Sequence, residues 1–442
     1  GLSLKITGGA TTNKGNDRIY HNRKTNAGIV NGGLGVTTEN IYSGYQNSNI
    51  LTYNKEIGNH NLTLTAVGEQ QYSKFYYSSV QASNFLTDQT GVYDMAGASI
   101  VRPYSTAGER VLNSFLGRIN YGFKNRYLLT ASYRADGSSV FGKNNKWGYF
   151  PSASVAWSAT DEGFIQNLNV FSNLKIRASW GITGSQAINP YQTLSKMSSG
   201  GNYPYNGTES TDLGFFIANA ANPFLKWEST TQTNLGLDFG VIKGRLNVTF
   251  DYYQKTTEDL LMPRTLPGYT GFTSVMDNIG SVENKGIELE VSGDPLVGEL
   301  KWNTGFNISA NRNKVLDLGE GTEKIGYMTT PGGFGINEPL MYLVKGEPFG
   351  QMYGWHYEGT WKESEAGQAA VFGQLPGDMK FTDLNNDGKI DVNDFTIIGN
   401  AFPKLIFGWT NRVSYRNFEL NFLIQGTKGN DIFNQGRIRM EN

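Results

Sequence analysis

Apolar and polar residues alternate with a period of two along much of the chain, and this pattern predicts β-strands rather than helices. The clearest case is the segment WGYFPSASVAW at residues 147–157, in which every odd-numbered residue is apolar. On the other parity the residues are small or polar, with Phe150 as the one exception. About ten residues in a strand tilted by roughly 40° rise about 25 Å, the height of a lipid-facing band, and a tryptophan stands at each end. The segment therefore fits a single membrane crossing, although an ordinary sandwich strand has the same pattern.

Similar alternating segments recur from residue 113 to the end of the chain, always with the charged residues on the polar parity. We expect the apolar parity to face lipid, including Leu129, Ala131, Val248, Phe250, Ile308 and Leu420. Before residue 113 the pattern predicts shorter strands at residues 2–8 and 61–70 and a glycine-rich pair of strands near residues 30–36. The polar stretch at residues 77–109 is predicted to be a loop.

The connections between these strands alternate between short and long. The short ones are residues 123–125, 241–244, 293–298 and 416–417, with 158–173 of intermediate length on the same side. The long ones are residues 135–146, 183–231, 256–283 and 314–403. Short periplasmic turns and long extracellular loops are typical of an outer-membrane barrel, whereas a soluble sandwich or propeller has no reason to keep this alternation. The predicted fold is all-β, an antiparallel transmembrane β-barrel, with residues 1–442 contributing about 14 strands of a larger barrel.

The composition agrees with this fold and excludes several functions. Glycine is abundant, with 55 residues, and aromatic residues make up 13% of the chain, as expected for many strands and turns with aromatic girdles. No apolar run reaches the eighteen or so residues of a membrane helix. A net charge of −1 gives no reason to expect a nucleic-acid partner, and the absence of cysteine excludes thiolate catalysis and cysteine-ligated zinc. Because no catalytic motif is present either, we do not expect an enzyme.

One motif carries specific chemistry and lies inside the long connection at residues 314–403. The stretch DLNNDGKIDVND has oxygen ligands at the spacing of a twelve-residue calcium loop, with glycine at position 6. Position 12 is an aspartate, one methylene shorter than the usual glutamate. We predict a structural calcium site here, and the alternative is a metal-free turn rich in Asp and Asn. The predicted ligands are Asp383, Asn385, Asp387, the carbonyl of Lys389, Asp391 and Asp394.

Aromatic residues in the long connections are candidates for substrate contacts, because their rings can stack on sugars or peptides. Packing of the loops against themselves explains the same residues equally well. The candidates are Tyr203, Tyr205, Phe334, Trp355 and Tyr357.

Several long segments together resemble the SusC-like (SusC/RagA) TonB-dependent outer-membrane transporters. They are YLLTASYRADGSSVFGKNNKWGYFPSASVAW, LKIRASWGITGSQAI, NLGLDFGVIKGRLNVTFDYYQKTTEDLL with NIGSVENKGIELEV, and PGDMKFTDLNNDGKIDVNDFTIIGNAFPKLIFGW. These segments span roughly residues 111–430, while the first 110 residues fit only loosely.

The resemblance implies import of bulky nutrients, either glycans or oligopeptides, across the outer membrane of a bacterial cell. It also implies outer-membrane lipid around the barrel, a SusD-like surface lipoprotein that closes over its mouth, and energy drawn from TonB through a plug region. No plug, TonB box or closing strand is recognisable, so we expect the sequence to be a piece of a longer chain. The alternatives are a soluble calcium-stabilised β adhesin or lectin and a secreted polysaccharide-degrading enzyme.

Overall fold

The computed structural model describes residues 1–200, 203–204, 211–212, 214–329, 339–434 and 436–437. Its main feature is one 13-stranded antiparallel sheet in which each strand pairs with the next one along the chain. The strands are β1 Leu2–His21, β2 Leu34–Ile57, β3 His60–Phe85, β4 Ala98–Phe123, β5 Tyr127–Ser138, β6 Trp147–Ser158, β7 Phe171–Ser185, β8 Glu228–Val241, β9 Leu246–Glu258, β10 Ser281–Val297, β11 Leu300–Asp317, β12 Leu405–Tyr415 and β13 Phe418–Lys428.

This is the up-and-down arrangement of a barrel wall, and it confirms the predicted antiparallel β architecture with one strand fewer than the approximate number expected. Within the described residues, β1 pairs only with β2, and β13 pairs only with β12. The sheet is therefore a partial barrel. Among the same residues, no helix has both the length and the apolar character needed to cross a bilayer.

The ladder register brings the apolar parities of the strands together on one side, which we call the outer face. One row of directly paired residues crosses seven strands in the order Leu129, Val155, Ala178, Leu235, Tyr252, Ile287 and Ala310. The six residues predicted to face lipid all lie on this face. Large apolar side chains there are exposed, for example 44% for Leu129 and 59% for Leu420. A continuous exposed apolar surface of this kind is suited to lipid rather than water.

The alternation of short and long connections holds with one exception, because residues 159–170 at one end of the sheet are more numerous than residues 139–146 at the other. At one end of the sheet, the turn end, strands are joined by residues 58–59, 124–126, 159–170, 242–245, 298–299 and 416–417. At the other, the loop end, they are joined by residues 22–33, 86–97, 139–146, 186–227, 259–280 and 318–404. Several tight turns have residues in the left-handed region, such as Lys124 and Asn125 with φ of 54° and 55°. Such turns match the right-handed twist of the strands that they join.

Three local predictions were wrong. Residues 77–109 are not mostly loop, because β3 and β4 stay paired from His60 with Phe123 as far as Phe85 with Ala98. In residues 77–109 apolar and polar side chains do not alternate regularly. The sequence therefore carries no periodic signal there, even though the backbone ladder continues. Near residues 30–36 the chain forms a helix, Asn26–Asn31, before β2 begins. Residues 293–298 are mostly strand, since β10 continues through an irregular register to Val297.

Candidate functional site

A buried hydrophobic cluster lies on the opposite side of the sheet, the inner face, where two connections from the loop end fold back over β5–β7. Its residues are Val140, Phe141, Phe150, Ile188, Leu225 and Trp227. Phe150, the exception to the alternation in β6, belongs to this core and is 8% exposed. Its ring meets that of Trp227 edge-on, with centroids 5.6 Å apart. Phe150 thus marks where the polar inner face is covered by protein.

Two glycines make room for the Phe150 ring. A Cβ added at Gly184 would lie 2.1 Å from the ring, and one added at Gly148 would lie 2.5 Å from it. Both distances are far below van der Waals contact, so any larger residue at these positions would displace the ring. The glycines of β6 and β7 therefore permit the close approach of residues 186–227 to the wall.

Hydrogen bonds to the backbone hold the same connections in place. The Arg110 guanidinium on β4 donates to the carbonyl of Ile188 at 2.8 Å. The indole N–H of Trp227 donates to the carbonyl of Lys146 at 3.0 Å, and the Asn145 amide donates to the carbonyl of Phe224 at 2.7 Å. Residues 139–146 and 186–227 are thus fastened to the wall and to each other.

Next to this core the inner face forms a recess of about 650 Å³, which we call the lumen recess. Its lining combines charged and hydroxyl side chains of the strands with apolar and aromatic ones, including the Phe150 and Trp227 rings. Arg134 makes a two-oxygen contact with Asp136, with its Nε 2.9 and 2.8 Å from the two carboxylate oxygens. The volume is in the range of small-molecule sites, and the mixture suits a polar ligand with a stackable surface. The lining includes Arg118, Ser132, Arg134, Asp136, Phe150 and Trp227.

Further along the inner face, a three-residue ion network joins β7, β8 and β9. The Nε and Nη2 atoms of Arg177 donate to the two oxygens of Asp238 at 2.8 and 3.0 Å, and Nη2 also reaches Asp251 at 3.1 Å. This geometry matches the fork of donors on a guanidinium. Because the Arg177 guanidinium is shared by two carboxylates through three hydrogen bonds, the network fixes the wall rather than offering a cation to a ligand.

The connection at residues 318–404 forms a separate folded unit on the loop end, which we call the loop module. It contains a four-stranded sheet, in the order Lys324–Thr329, Pro339–Val344, Gln351–Gly354 and Thr396–Asn400. A two-stranded sheet, Tyr357–Thr360 with Met379–Phe381, lies beside it. Val315 near the end of β11 exchanges backbone hydrogen bonds with Glu347 and Gly346 at 2.9 and 2.8 Å, which anchors the module to the wall.

The predicted calcium loop lies between two strands of the loop module, Met379–Phe381 and Thr396–Asn400. Gly388, at position 6, has a φ of +81°, the left-handed conformation that favours glycine. The Asp383 carboxylate accepts from the backbone N–H groups of Asp387 and Gly388 at 3.2 and 2.9 Å. Asp394 is fully buried and accepts from the N–H groups of Leu384 and Asp391, both at 2.9 Å.

In this conformation the loop carboxylates bind backbone N–H groups. In the part of the chain that the structure describes, no three His, Cys, Asp or Glu side chains are grouped as a metal site. The donor set itself fits a hard cation, since it offers carboxylate, amide and carbonyl oxygens and no sulfur or imidazole. The loop thus offers oxygen donors suited to calcium, and calcium binding stays a prediction.

Trp355 connects the two ends of the calcium loop. Its indole N–H donates to the carbonyl of Asp391 at 2.7 Å. Its ring lies 5.6 Å from Phe381, just before the loop, and 5.2 Å from Phe395, just after it. Trp355 is half-buried in these contacts, so much of its surface is used inside the module.

Of the other aromatic candidates, Tyr357 shares a neighbour with Trp355, because both rings contact Phe381. Tyr357 is 55% exposed and contacts the Phe381 ring at 6.1 Å. The backbone of Tyr203 pairs with Asp212 in a short hairpin within residues 186–227. Tyr205 and Phe334 lie outside the described residues. Their predicted role in substrate binding stays a prediction.

The lumen recess and the aromatic pair that borders it were not predicted from the sequence. Trp227 lies in a connection with no periodic pattern, so nothing in its surroundings singled it out. Phe150 did carry a signal, because it breaks the alternation of an otherwise regular strand. A large apolar residue on the polar parity of a barrel strand indicates a place where the inner face is covered.

Comparison with known proteins gives a consistent match over the whole wall. Residues 2–425 match the family model for the TonB dependent receptor-like β-barrel. TonB-dependent receptor P3 of Formosa agariphila is 36% identical over 447 residues, which cover 98% of this chain and 43% of that protein. TonB-dependent receptor SusC of Bacteroides thetaiotaomicron is 32% identical over 387 residues, covering 86% of this chain and 37% of that protein. The chain spans about two fifths of the length of these curated relatives.

Among solved structures, the RagAB peptide transporter superimposes with a TM-score of 0.78. The match covers 96% of this chain and 45% of that one, at 24% sequence identity. This likeness concerns the fold.

Proposed function

The chain belongs to the family of TonB-dependent receptor-like β-barrels, and on this premise we propose that the protein imports bulky polar nutrients, glycans or oligopeptides, across the outer membrane. Members of this family are outer-membrane receptors and transporters and not enzymes, so the soluble adhesin and the secreted enzyme are no longer candidates. Energy for import comes from TonB, acting through a plug region of the whole protein. The observation that supports import most directly is the pair of connections fastened over a recess of the inner face that is lined by both polar and apolar side chains.

Two parts of the molecule are candidates for substrate capture and for passage. The lumen recess alone has about 650 Å³, and the loop module and residues 186–227 lie at the same end of the wall. Long loops persist mainly where they bind or close over something. We therefore assign substrate capture to the loop end and passage to the polar inner face. Similarity to the protein named SusC and to the structure named a peptide transporter agrees with import of either glycans or oligopeptides.

We further propose that a SusD-like surface lipoprotein binds the loop end as a lid. The loop module presents exposed apolar side chains, among them Val371 at 67% and Leu375 at 70%, on a unit that is folded rather than loosely connected. Exposed apolar patches on a folded unit are typical of protein interfaces.

The test removes the loop module from the full-length protein by joining residues 318 and 404 through a flexible linker, which is needed because β11 extends well past Ser309, the last of its residues paired with β12. β11 and β12 remain paired in the wall, so the barrel should still insert, while lid co-purification and nutrient uptake should both be lost. Heat-modifiable migration on gels reports whether the barrel has folded. If the lid still co-purifies and uptake persists with a folded barrel, the loop module is not the lid seat.

Calcium binding is a separate proposal and rests on the oxygen donors of Asp383, Asn385, Asp387, Lys389, Asp391 and Asp394. Calcium would neutralise the carboxylates of the loop and hold it closed. Trp355 contacts both ends of the loop, so a closed loop would also stabilise the rest of the loop module. Its role is structural, since the loop lies between strands of the module.

The test compares the rate of proteolysis of the loop module with calcium and with chelator. We expect chelator to speed cleavage in the unmodified protein, while the double substitution Asp383→Ala with Asp387→Ala gives fast cleavage in both conditions. Asn393→Ala, in the same loop but outside the predicted ligands, is the matched control. Equal cleavage of the unmodified protein with and without calcium would mean that packing alone holds the loop.

A further inference from the structure

A groove on the outer face of β4–β7 lies close to the turn end of the sheet. It has a volume of about 420 Å³, and its lining is apolar and aromatic, including Tyr121, Leu129, Val155, Trp157, Ile176 and Ala178. Ala178 is paired with Val155 on one side and Leu235 on the other. Since an alanine extends only one carbon from the sheet, it leaves a depression among these larger neighbours.

A polar cluster closes the groove at the turn end. The Glu162 carboxylate accepts from the hydroxyl of Tyr127 at 2.6 Å and from the indole N–H of Trp157 at 3.4 Å. Its other oxygen accepts from the Arg126 guanidinium at 3.2 Å. The hydrogen bond from Tyr127 is the largest cause that lowers the pKa of Glu162, so this carboxylate is ionised at neutral pH. The polar boundary of the membrane thus lies directly beside the groove.

Apolar surface continues past this cluster into the connection at residues 159–170. Phe164 is 61% exposed and packs against Trp157, with ring centroids 6.5 Å apart. Leu168 and Val170 are 55% and 53% exposed. Aromatic and apolar residues beside a polar cluster are typical of the membrane–water interface. This connection therefore lies in the interface and extends the lipid-contacting surface around the groove.

We propose that this groove is a binding site for one phospholipid of the periplasmic leaflet, with an acyl chain over Ala178 and the phosphate beside Arg126. The acyl chain is favoured because the groove is continuous with the lipid-facing surface, and its volume is in the range of ligand pockets. The phosphate is favoured because a guanidinium has five N–H donors and binds phosphate well. Arg126 uses one nitrogen on Glu162, and its side chain is 31% exposed.

The experiment measures phospholipid that remains bound to the full-length protein after purification in mild detergent, by native mass spectrometry. Ala178→Leu fills the groove with an apolar side chain that the lipid-facing surface tolerates. Ala310→Leu is the matched control, because Ala310 lies in the same ladder row and on the same face but away from the groove. We expect the Ala178 variant to lose the bound phospholipid and the Ala310 variant to keep it.

A second substitution tests the head group. Arg126→Gln should weaken retention of phospholipid, while leaving detergent in the groove unaffected. Heat-modifiable migration again shows that each variant is folded. Retention of phospholipid by the Ala178 variant, or equal loss from both alanine variants, would overturn the proposal. The same holds if the molecule bound by the unmodified protein carries no phosphate.

Discussion

Strands β1–β4 and strands β5–β13 share one apolar outer face. They differ in how the chain continues from the apolar band towards the loop end. β1–β4 are 20, 24, 26 and 26 residues long and remain paired far above the apolar band. At about 3.3 Å per residue and a tilt of roughly 40°, 26 residues rise about 65 Å, more than twice the band. β5–β13 are 11–18 residues long, and the chain continues in connections such as residues 186–227 and 318–404.

The two regions satisfy their backbone hydrogen bonds in different ways above the membrane. In β1–β4 the ladder itself supplies the partners, so the side chains are free to be polar on both faces. In the long connections the ladder is interrupted, and small cores with side-chain hydrogen bonds take its place, as around Phe150 and Trp227. The difference shows that β1–β4 extend the wall beyond the apolar band, whereas residues 139–146 and 186–227 fold back over its inner face.

The largest predicted effect of a single substitution concerns the core under residues 186–227. Phe150→Ala should cost about 3–5 kcal/mol of local stability, because it removes a buried ring that contacts Trp227. The expected result is faster proteolysis of residues 186–227 while the barrel stays inserted. Tyr149→Ala, the adjacent residue on the outer face and 57% exposed, is the control. Similar proteolysis in both variants would mean that this core does not hold the connection.

A somewhat smaller effect is predicted in the apolar band. Leu129→Arg places a charge in lipid and should cost about 2–4 kcal/mol of folding free energy, measured by denaturation from lipid vesicles. Thr130→Arg, one residue along the same strand, points to the polar inner face and should cost much less. Equal losses would show that the two faces are wrongly assigned.

The smallest predicted effect on folding free energy concerns the part of the wall that extends beyond the apolar band. Ala107→Arg and Ala131→Arg make the same substitution on the outer face of neighbouring strands, since Ala107 pairs with Tyr76 and Ala131 with Ile119. At Ala107 we expect a change within about 0.5 kcal/mol, because the site is exposed to water. A cost at Ala107 as large as that at Ala131 would place β3 and β4 in lipid along their full length.

Local sequence determined those features that repeat over a few residues. The side chains of Leu129 and Val248 could be assigned to the outer face because lipid demands an apolar residue at every second position. Alternating connections identified the barrel, and DLNNDGKIDVND identified a wound loop whose Gly388 has the required left-handed backbone.

Only the tertiary structure decided the features that depend on distant pairing. The upper halves of β3 and β4 are strands because their backbones bind each other, and neither side chains nor lipid impose a pattern there. The lumen recess exists because residues 186–227 return to the wall, where Trp227 meets Phe150 from 77 positions away in the chain. Such contacts are fixed by packing and ladder register between segments far apart in sequence, which no local period encodes.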